Sequence, residues 1–317
     1  MSNKVIIVAP SNTMADLPSC LRQVGINRLK SLGFEPVFSQ YSSGKYLHMS
    51  GTRAQRIHDL KEALIDPKAC GVMAVFGGYN TNELLDHIEE LKSDTSKWVI
   101  GYSDVTALLL ALADRQNINV IHGPGFASFC DPNFFDFSLS MFIAAISGHE
   151  IKYTNPGYFA SDLWYLKDNY GPREVITTDG CISYKTGTVV APIIGGNIDT
   201  ICALIGTPYF PKLKDKLLFV ESTIEHPGHF HRALIQLKQV GVLDEIAGLI
   251  IGKAVKNSPL CNTEYLIELL NTINLPQYPV LLDVHCSHVD PMLSIPINTK
   301  AKLSVNNSPT LILNYRG

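Results

Sequence analysis

The sequence lacks the features that mark secreted, metal-binding or disulfide-rich proteins. Its 317 residues include only seven cysteines, and no two of them form a Cys-x-x-Cys pair. An odd and dispersed set of cysteines predicts reduced thiols in a cytoplasmic protein. The spacing of these cysteines and of the ten histidines matches no zinc pattern, so we expect no metal site.

Long apolar runs and basic clusters are also missing. The apolar run at residues 5–9 is too short for a signal peptide, and no run reaches the length of a membrane span. The formal net charge is −3 without a Lys/Arg cluster, which argues against nucleic acid polymers as partners. No Gly-x-Gly-x-x-Gly opens a helix, so a dinucleotide cofactor is not expected. Hydrophobic residues make up 46% of the chain, enough for a sizeable core.

Strand-like and helix-like segments alternate in the first half of the chain. This alternation indicates right-handed βαβ units and a parallel, Rossmann-like sheet of the α/β class. We expect strands at residues 4–9, 35–39, 71–76, 98–100 and 119–121, and helices at 17–32, 53–65, 83–91, 105–113 and 135–146.

From residue 180 onward short strands mix with helices. This pattern predicts a mixed α/β domain with antiparallel, barrel-like strands. We therefore divide the chain into an N-terminal domain (1–150), a linker with a substrate loop (151–179) and a C-terminal domain (180–317). The expected strands of the last part are 181–184, 188–194, 216–221, 246–251, 280–284, 292–297, 301–305 and 311–315, and its helices are 198–205, 228–240 and 263–272.

Ser103 stands between a buried strand and an apolar stretch of helical length. A serine on a sharp strand-to-helix turn has the geometry of a nucleophile elbow, although Val105 occupies the last glycine position of the usual Gly-x-Ser-x-Gly pattern. The free N–H groups of the helix would point at the same place, where they can bind an oxyanion. The alternative is that Ser103 or Asp104 only caps the helix.

Two further stretches could contact a substrate. Gly77 and Gly78 follow a buried strand, where glycines allow close approach to a ligand or make only a tight turn. Ligands of parallel sheets bind beyond the carboxyl ends of the strands, and both Ser103 and this glycine pair lie at such ends. Trp164 lies in the irregular stretch 151–179 and could stack on a substrate or anchor its own loop.

A serine nucleophile needs a base, and the base needs an acceptor that orients it. His285 and His288 follow a buried strand in a loop, which is a suitable location for a base, and His122 could line the same edge as Ser103. Glu221 ends an apolar strand, where a carboxylate needs a partner. These candidates follow the order Ser, Glu, His.

Several motifs spread over nearly the whole chain carry a family resemblance. They are Val8-Ala9-Pro10-Ser11, Arg53-Ala54, Phe76-Gly77-Gly78-Tyr79-Asn80-Thr81, Gly101-Tyr102-Ser103-Asp104-Val105-Thr106-Ala107-Leu108, Gly195-Gly196-Asn197, Gly206-Thr207-Pro208-Tyr209, Leu218-Phe219-Val220-Glu221, Ala247-Gly248, Ile250-Ile251-Gly252 and His288-Val289-Asp290-Pro291-Met292-Leu293-Ser294-Ile295-Pro296. Together they resemble the LD-carboxypeptidase family of serine peptidases, which includes the microcin C immunity peptidases.

This resemblance implies a catalytic triad of Ser103, Glu221 and His288. His288 rather than His285 matches the family histidine, although a serine replaces the glycine that usually precedes it. The resemblance also implies an oxyanion hole made by the backbone N–H groups of Asp104 and Gly78. It further implies two domains, with the nucleophile on the first and the other two residues on the second, a homodimer, and no metal or organic cofactor.

The family has two substrate branches. One releases D-alanine from murein tetrapeptides, and the other cleaves the amide between a peptidyl or aminoacyl aspartate and a nucleotide, as in microcin C. The stretch 79–83 resembles the second branch, and Trp164 and Asn197 match its base-stacking tryptophan and its substrate-contacting asparagine. Glu225 stands where that branch tends to have a lysine, and it would repel a phosphate.

We therefore expect hydrolysis of a small peptide or peptidyl-nucleotide, with the murein tetrapeptide as the alternative. Two other classes of function stay open, a non-catalytic peptide-binding module and a cysteine-dependent hydrolase. The expected substrate contacts are Gly77, Tyr79, Asn80, Trp164 and Asn197.

Overall fold

The structure is a computed structural model that describes residues 3–166, 170–223 and 226–317. The chain forms two compact units, one of Met1–Phe134 with Leu163–Pro172 and the other of Phe135–Asp162 with Arg173–Gly317. Among the described residues, no helix combines the length and the apolar composition needed to cross a membrane.

The first unit is built on five parallel strands, which confirms the predicted parallel sheet. They lie in the spatial order β5-β4-β3-β1-β2. The order reverses between β1 and β3, and ligands of such sheets bind at this switch point. The strands are β1 Lys4–Val8, β2 Glu35–Phe38, β3 Ala69–Ala74, β4 Lys97–Gly101 and β5 Ile118–His122.

The helices of the first unit connect these strands. Helix α2 begins at a capping box in which the Thr52 side chain accepts from the Gln55 N–H, and it spans the predicted range. The predicted α-helix at 83–91 is instead a ten-residue 3-10 helix. The α-helices are α1 Ser19–Ser31, α2 Arg53–Ile65, α3 Thr106–Leu112 and α4 Phe126–Phe129, and the 3-10 helices are Met14–Asp16, Thr81–Glu90, Ser103–Val105 and Trp164–Leu166.

The second unit contains an eight-stranded mixed sheet in the order β6-β16-β15-β10-β11-β12-β13-β9. Its centre, β10 to β13, is parallel, and the flanking pairs are antiparallel. Its strands, with the small β7–β8 pair and the short β14, are β6 Ile151–Tyr153, β7 Tyr158–Phe159, β8 Ile176–Thr177, β9 Ile182–Lys185, β10 Gly187–Asn197, β11 Leu217–Glu221, β12 Gly248–Gly252, β13 Val280–Val284, β14 Ile295–Pro296, β15 Lys300–Val305 and β16 Thr310–Leu313.

The helices of the second unit include two with strong side-chain caps. Asn197 caps the first of them after β10, and Asn262 caps the last. The helices are α5 Asp136–Ile146, α6 Ile198–Ala203, α7 Pro227–Gln239, α8 Val242–Glu245 and α9 Thr263–Ile273, with a 3-10 helix at Pro259–Cys261.

The division of the chain differs from the boundaries predicted at residues 150 and 179. Helix α5 lies in the second unit, where the Ser138 hydroxyl accepts a hydrogen bond of 2.7 Å from the Met292 N–H. Strand β6 pairs with β16 near the C-terminus, so it is part of the second sheet and not a linker. Long-range pairing, which composition does not reveal, sets these boundaries.

Candidate active site

Ser103 lies on a strained turn at the carboxyl end of β4. Its φ is 62°, in the left-handed region that residues with side chains rarely adopt, at a cost of about 1–3 kcal/mol. A 3-10 turn, Ser103–Val105, then leads directly into α3. The N-cap positions of the 3-10 turn and of α3 are Tyr102 and Val105, and neither side chain makes a capping bond. The order of strand, strained turn and helix is that of a nucleophile elbow, and the role of Ser103 as a nucleophile stays a prediction.

The buried side chain of Asp104 fixes the same turn. Its Oδ2 accepts hydrogen bonds from the Thr81 N–H (2.9 Å) and from the Thr81 hydroxyl (2.7 Å). These bonds tie the residue after Ser103 to the start of the 3-10 helix that follows β3. The Asp104 carboxylate therefore holds the turn that contains Ser103 against Thr81.

Gly77 and Gly78 are required by close packing and not only by a turn. A Cβ on Gly77 would lie 2.7 Å from Ser103 Cβ, 2.8 Å from Ser103 Oγ and 3.1 Å from the Asp104 nitrogen. A Cβ on Gly78, whose φ is 153°, would lie 2.2 Å from Ser11 Oγ. The backbone of the loop after β3 therefore packs closely against the Ser103 turn.

Arg56 supports this loop, and the sequence reading missed it. Its side chain is buried and donates to the carbonyls of Pro10 (2.7 Å), Gly51 (3.1 Å) and Asn80 (3.3 Å). Burial lowers the pKa of Arg56 to about 10, so it remains a cation at neutral pH. The sequence did contain one signal for this role, an arginine on the apolar face of α2. A charged side chain is buried at such a position only when it has partners.

The predicted substrate contacts of the first unit differ in exposure. Tyr79 is 84% exposed, and its N–H donates to Ser11 Oγ at 3.1 Å. Asn80 Oδ1 contacts His48 Nε2. Trp164 is buried, 8% exposed, and packs edge-to-face against Tyr165. This burial fits a tryptophan that anchors its loop, and its stacking on a substrate stays a prediction.

Glu221 and His288 form a hydrogen-bonded pair in the second unit. Glu221 ends β11, is buried, and its Oε2 lies 2.7 Å from His288 Nδ1. A carboxylate can only accept, so Nδ1 carries the proton in this bond, and Nε2 is the ring nitrogen that does not take part in it. A Cβ on Gly252 would lie 3.0 Å from Glu221 Cβ and 3.1 Å from Ser287 Cβ, so the end of β12 packs tightly beside this pair.

His285 is in the same loop but has a different environment. Its Nε2 lies 3.1 Å from the Tyr158 carbonyl, which can only accept, so Nε2 carries the proton and the Tyr153 hydroxyl donates to Nδ1 (3.0 Å). Burial lowers the pKa of His285 to about 4. Both ring nitrogens are engaged, which leaves no free nitrogen to act as a base.

The other predicted residues have structural contacts. Asn197 lies opposite Glu221 at the ends of β10 and β11, and its Oδ1 accepts from the Thr200 N–H (3.1 Å) and hydroxyl (3.0 Å). His122 ends β5 in the first unit, where it is buried against Tyr102. Glu225 lies outside the described residues.

No group of three His, Cys, Asp or Glu side chains that could hold a metal ion occurs in the part of the chain that the structure describes. All seven cysteines are free thiols. Burial raises the pKa of the Cys130 and Cys202 thiols to about 12, so they are poor nucleophiles at neutral pH.

Both halves of the chain match known family models. Residues 5–123 match the LD-carboxypeptidase N-terminal domain, and residues 190–303 match the LD-carboxypeptidase C-terminal domain. The chain is 28% identical to the microcin C7 self-immunity protein MccF of Escherichia coli over 299 residues, which cover 89% of this chain and 85% of the relative.

Solved structures have the same fold. An MccF-like protein from Bacillus anthracis str. Ames superposes with a TM-score of 0.91 at 26% identity, covering 98% of this chain and 96% of the other. MccF in complex with aspartyl sulfamoyl adenosine superposes with a TM-score of 0.86 at 25% identity, covering 100% of this chain and 97% of that one.

Proposed function

Because this chain belongs to the LD-carboxypeptidase family and is a serine-type carboxypeptidase, we propose that Ser103, Glu221 and His288 are its catalytic triad. The family matches confirm the resemblance that the motifs indicated. The observation that carries the proposal is the 2.7 Å bond between Glu221 Oε2 and His288 Nδ1, because it orients one particular histidine in the tautomer of a general base. The strained turn at Ser103 supports the choice of nucleophile.

In this mechanism His288 Nε2 takes the hydroxyl proton as Ser103 Oγ attacks the carbonyl carbon of the scissile amide. Throughout the reaction Glu221 accepts the hydrogen bond from His288 Nδ1–H and stabilises the imidazolium that forms. The N–H groups of Gly78 and Asp104 bind the oxyanion, and the loss of one such donor costs about 3 kcal/mol. His288 then gives its proton to the leaving amine, and water hydrolyses the acyl-enzyme in the reverse sequence of proton transfers.

The proposed substrate is an amide that joins a peptidyl or aminoacyl aspartate to a nucleotide, so that the enzyme detoxifies compounds of the microcin C type. The structure of MccF with aspartyl sulfamoyl adenosine supports this class. We assign substrate contacts to Gly77, Tyr79, Asn80, Trp164 and Asn197. Tyr79 offers the most accessible aromatic surface among them.

One observation favours a second candidate, the release of D-alanine from a murein tetrapeptide. Glu225 is an acidic residue where the nucleotide-cleaving branch tends to have a lysine, and an anion there repels a substrate phosphate. A murein peptide carries no phosphate at that position.

A paired hydrolysis assay separates these candidates. Wild type and Ser103→Ala are each given a peptidyl-aspartyl-adenylate amide and a murein tetrapeptide, and the products are followed by mass spectrometry. Release of the nucleotide by the wild type alone supports the proposed substrate, and release of D-alanine by the wild type alone supports the second candidate. Equal turnover by Ser103→Ala contradicts the triad, and no turnover of either compound contradicts both substrate assignments.

We also propose that the enzyme acts as a cytoplasmic homodimer. The family resemblance supports the dimer, and the seven free thiols support a reducing compartment. Light scattering should give twice the 34.9 kDa mass of one chain, and a value for a single chain would contradict the dimer.

A further inference from the structure

Arg173 holds two carboxylates at once in the second unit. Its Nε donates to Asp162 Oδ1 at 3.1 Å, and its NH1 donates to Asp290 Oδ2 at 2.9 Å. The Arg173 side chain is only 3% exposed, and its guanidinium lies 5.5 Å from the centre of the Phe135 ring. Water screens such a desolvated group little, so it holds its partners more firmly than a surface ion pair does.

The bond between Arg173 and Asp162 connects the two ends of a chain segment. Asp162 and Arg173 are the residues on either side of Leu163–Pro172, a segment that belongs to the first unit. Asp162 Oδ1 also accepts from the Glu174 N–H at 3.2 Å, which fixes the backbone immediately after Arg173. The enclosed segment contains Trp164, the proposed base-stacking residue.

The bond to Asp290 reaches the loop of the proposed base. Asp290 follows His288 by two residues, and its backbone exchanges two hydrogen bonds with Ala160, of 2.7 and 2.8 Å. The guanidinium therefore adds a side-chain contact to a backbone bridge at the same place. This combination restrains the chain immediately after His288.

We propose that Arg173 is a positioning residue with two separable effects on the carboxypeptidase reaction. Through Asp290 it holds the loop that aims His288, and through Asp162 it holds the base of the segment that carries Trp164. The inference rests on the proposed function, in which His288 is the base and Trp164 contacts the substrate. The planar guanidinium fork suits two partners in fixed directions, and the point charge of a lysine does not.

Single substitutions of the two carboxylates separate these effects while they preserve side-chain shape. Asp290→Asn should lower kcat about 100-fold with little change in KM, because a displacement of about 1 Å at a catalytic group has this effect. Asp162→Asn should raise KM about tenfold with little change in kcat, which corresponds to losing one aromatic stack on a base. Arg173→Lys should show both effects.

Lys256→Met is the matched control. Lys256 pairs with Glu174, next to Arg173, but both side chains are about half exposed. Removal of this surface pair should leave kcat and KM within about twofold of wild type. Thermal unfolding of every variant verifies that the kinetic constants come from folded protein.

Trp164 fluorescence gives a readout that does not depend on turnover. The chain has two tryptophans, so Trp98→Phe leaves Trp164 as the only one. In that background Asp162→Asn should make Trp164 more accessible to acrylamide, whereas Asp290→Asn and Lys256→Met should not.

Two results would overturn the inference. The first is unchanged kcat, KM and quenching in folded Asp162→Asn and Asp290→Asn. The second is an equal loss in both variants without the division between kcat and KM, which would assign Arg173 a purely structural role. Failure of the proposed function is distinct, because the wild type itself would then hydrolyse neither substrate while the quenching difference could still be measured.

Discussion

Replacing Gly77 by alanine should displace the nucleophile directly. The new methyl group would lie 2.7 Å from Ser103 Cβ and 3.1 Å from the Asp104 nitrogen, whereas carbon atoms pack at about 3.5–4.0 Å. The contacts are with a Cβ and a backbone atom, so rotation of a side chain cannot relieve them. A shift of about 1 Å between the two loops is required, and overpacking of this kind costs about 1–3 kcal/mol of stability.

The catalytic effect should exceed the effect on stability. Because a 1 Å displacement of a catalytic group lowers the rate about 100-fold, Gly77→Ala should reduce kcat by about this factor at temperatures where the variant is folded. The rate at which a fluorophosphonate labels Ser103 measures the same displacement without a substrate. Both rates should fall together.

Gly171→Ala is the control for this change. A Cβ on Gly171 would meet none of the described atoms within 4 Å, and its φ is not in the left-handed region. Its labelling rate should equal that of wild type, with a stability gain of at most about 1 kcal/mol. A Gly77→Ala variant with wild-type kcat and labelling rate would refute the close packing of the glycine loop on Ser103.

Three other predictions concern charges and thiols. Glu221→Gln should lower kcat by about 10⁴-fold at unchanged stability, and a loss below tenfold would exclude Glu221 as the orienting acceptor. Because burial holds the pKa of His285 near 4, below about 6.5 in the unfolded chain, its contribution to stability is complete above pH 6.5 and is lost as the pH falls toward 4. In urea unfolding, the free energy of unfolding of His285→Gln should therefore fall by about 2 kcal/mol less than that of wild type between pH 7 and pH 5. An equal decrease in both proteins would show that His285 is not held neutral. Alkylation of the accessible thiols should leave activity intact, whereas inactivation that tracks one modified cysteine would favour a thiol nucleophile.

The sheets could be predicted from the sequence because parallel strands are buried on both faces and read as continuous apolar runs. Strands β1, β4 and β11 show this clearly. The unit boundary could not be predicted in the same way. It depends on β6 pairing with β16, more than 150 residues along the chain, and nothing in the composition near residue 150 reports that contact.

Local spacing could not distinguish the two histidines of the candidate site. His285 and His288 share one loop, and their difference comes from Tyr153 and Tyr158, which lie 132 and 127 residues away from His285 along the chain. Arg173 was missed for the same reason, since its partner Asp290 is 117 residues away. Ser103 could be proposed from the sequence because strand, turn and helix are adjacent in it.

Covalent labelling is the most direct test of the central claim that Ser103 is the nucleophile. Purified wild type and Ser103→Ala are treated with a fluorophosphonate, and the modified residue is located by peptide mass spectrometry. We expect one label per wild-type chain, on Ser103, and none on the alanine variant. A label on another residue, or no label on a wild type that hydrolyses its substrate, would contradict it.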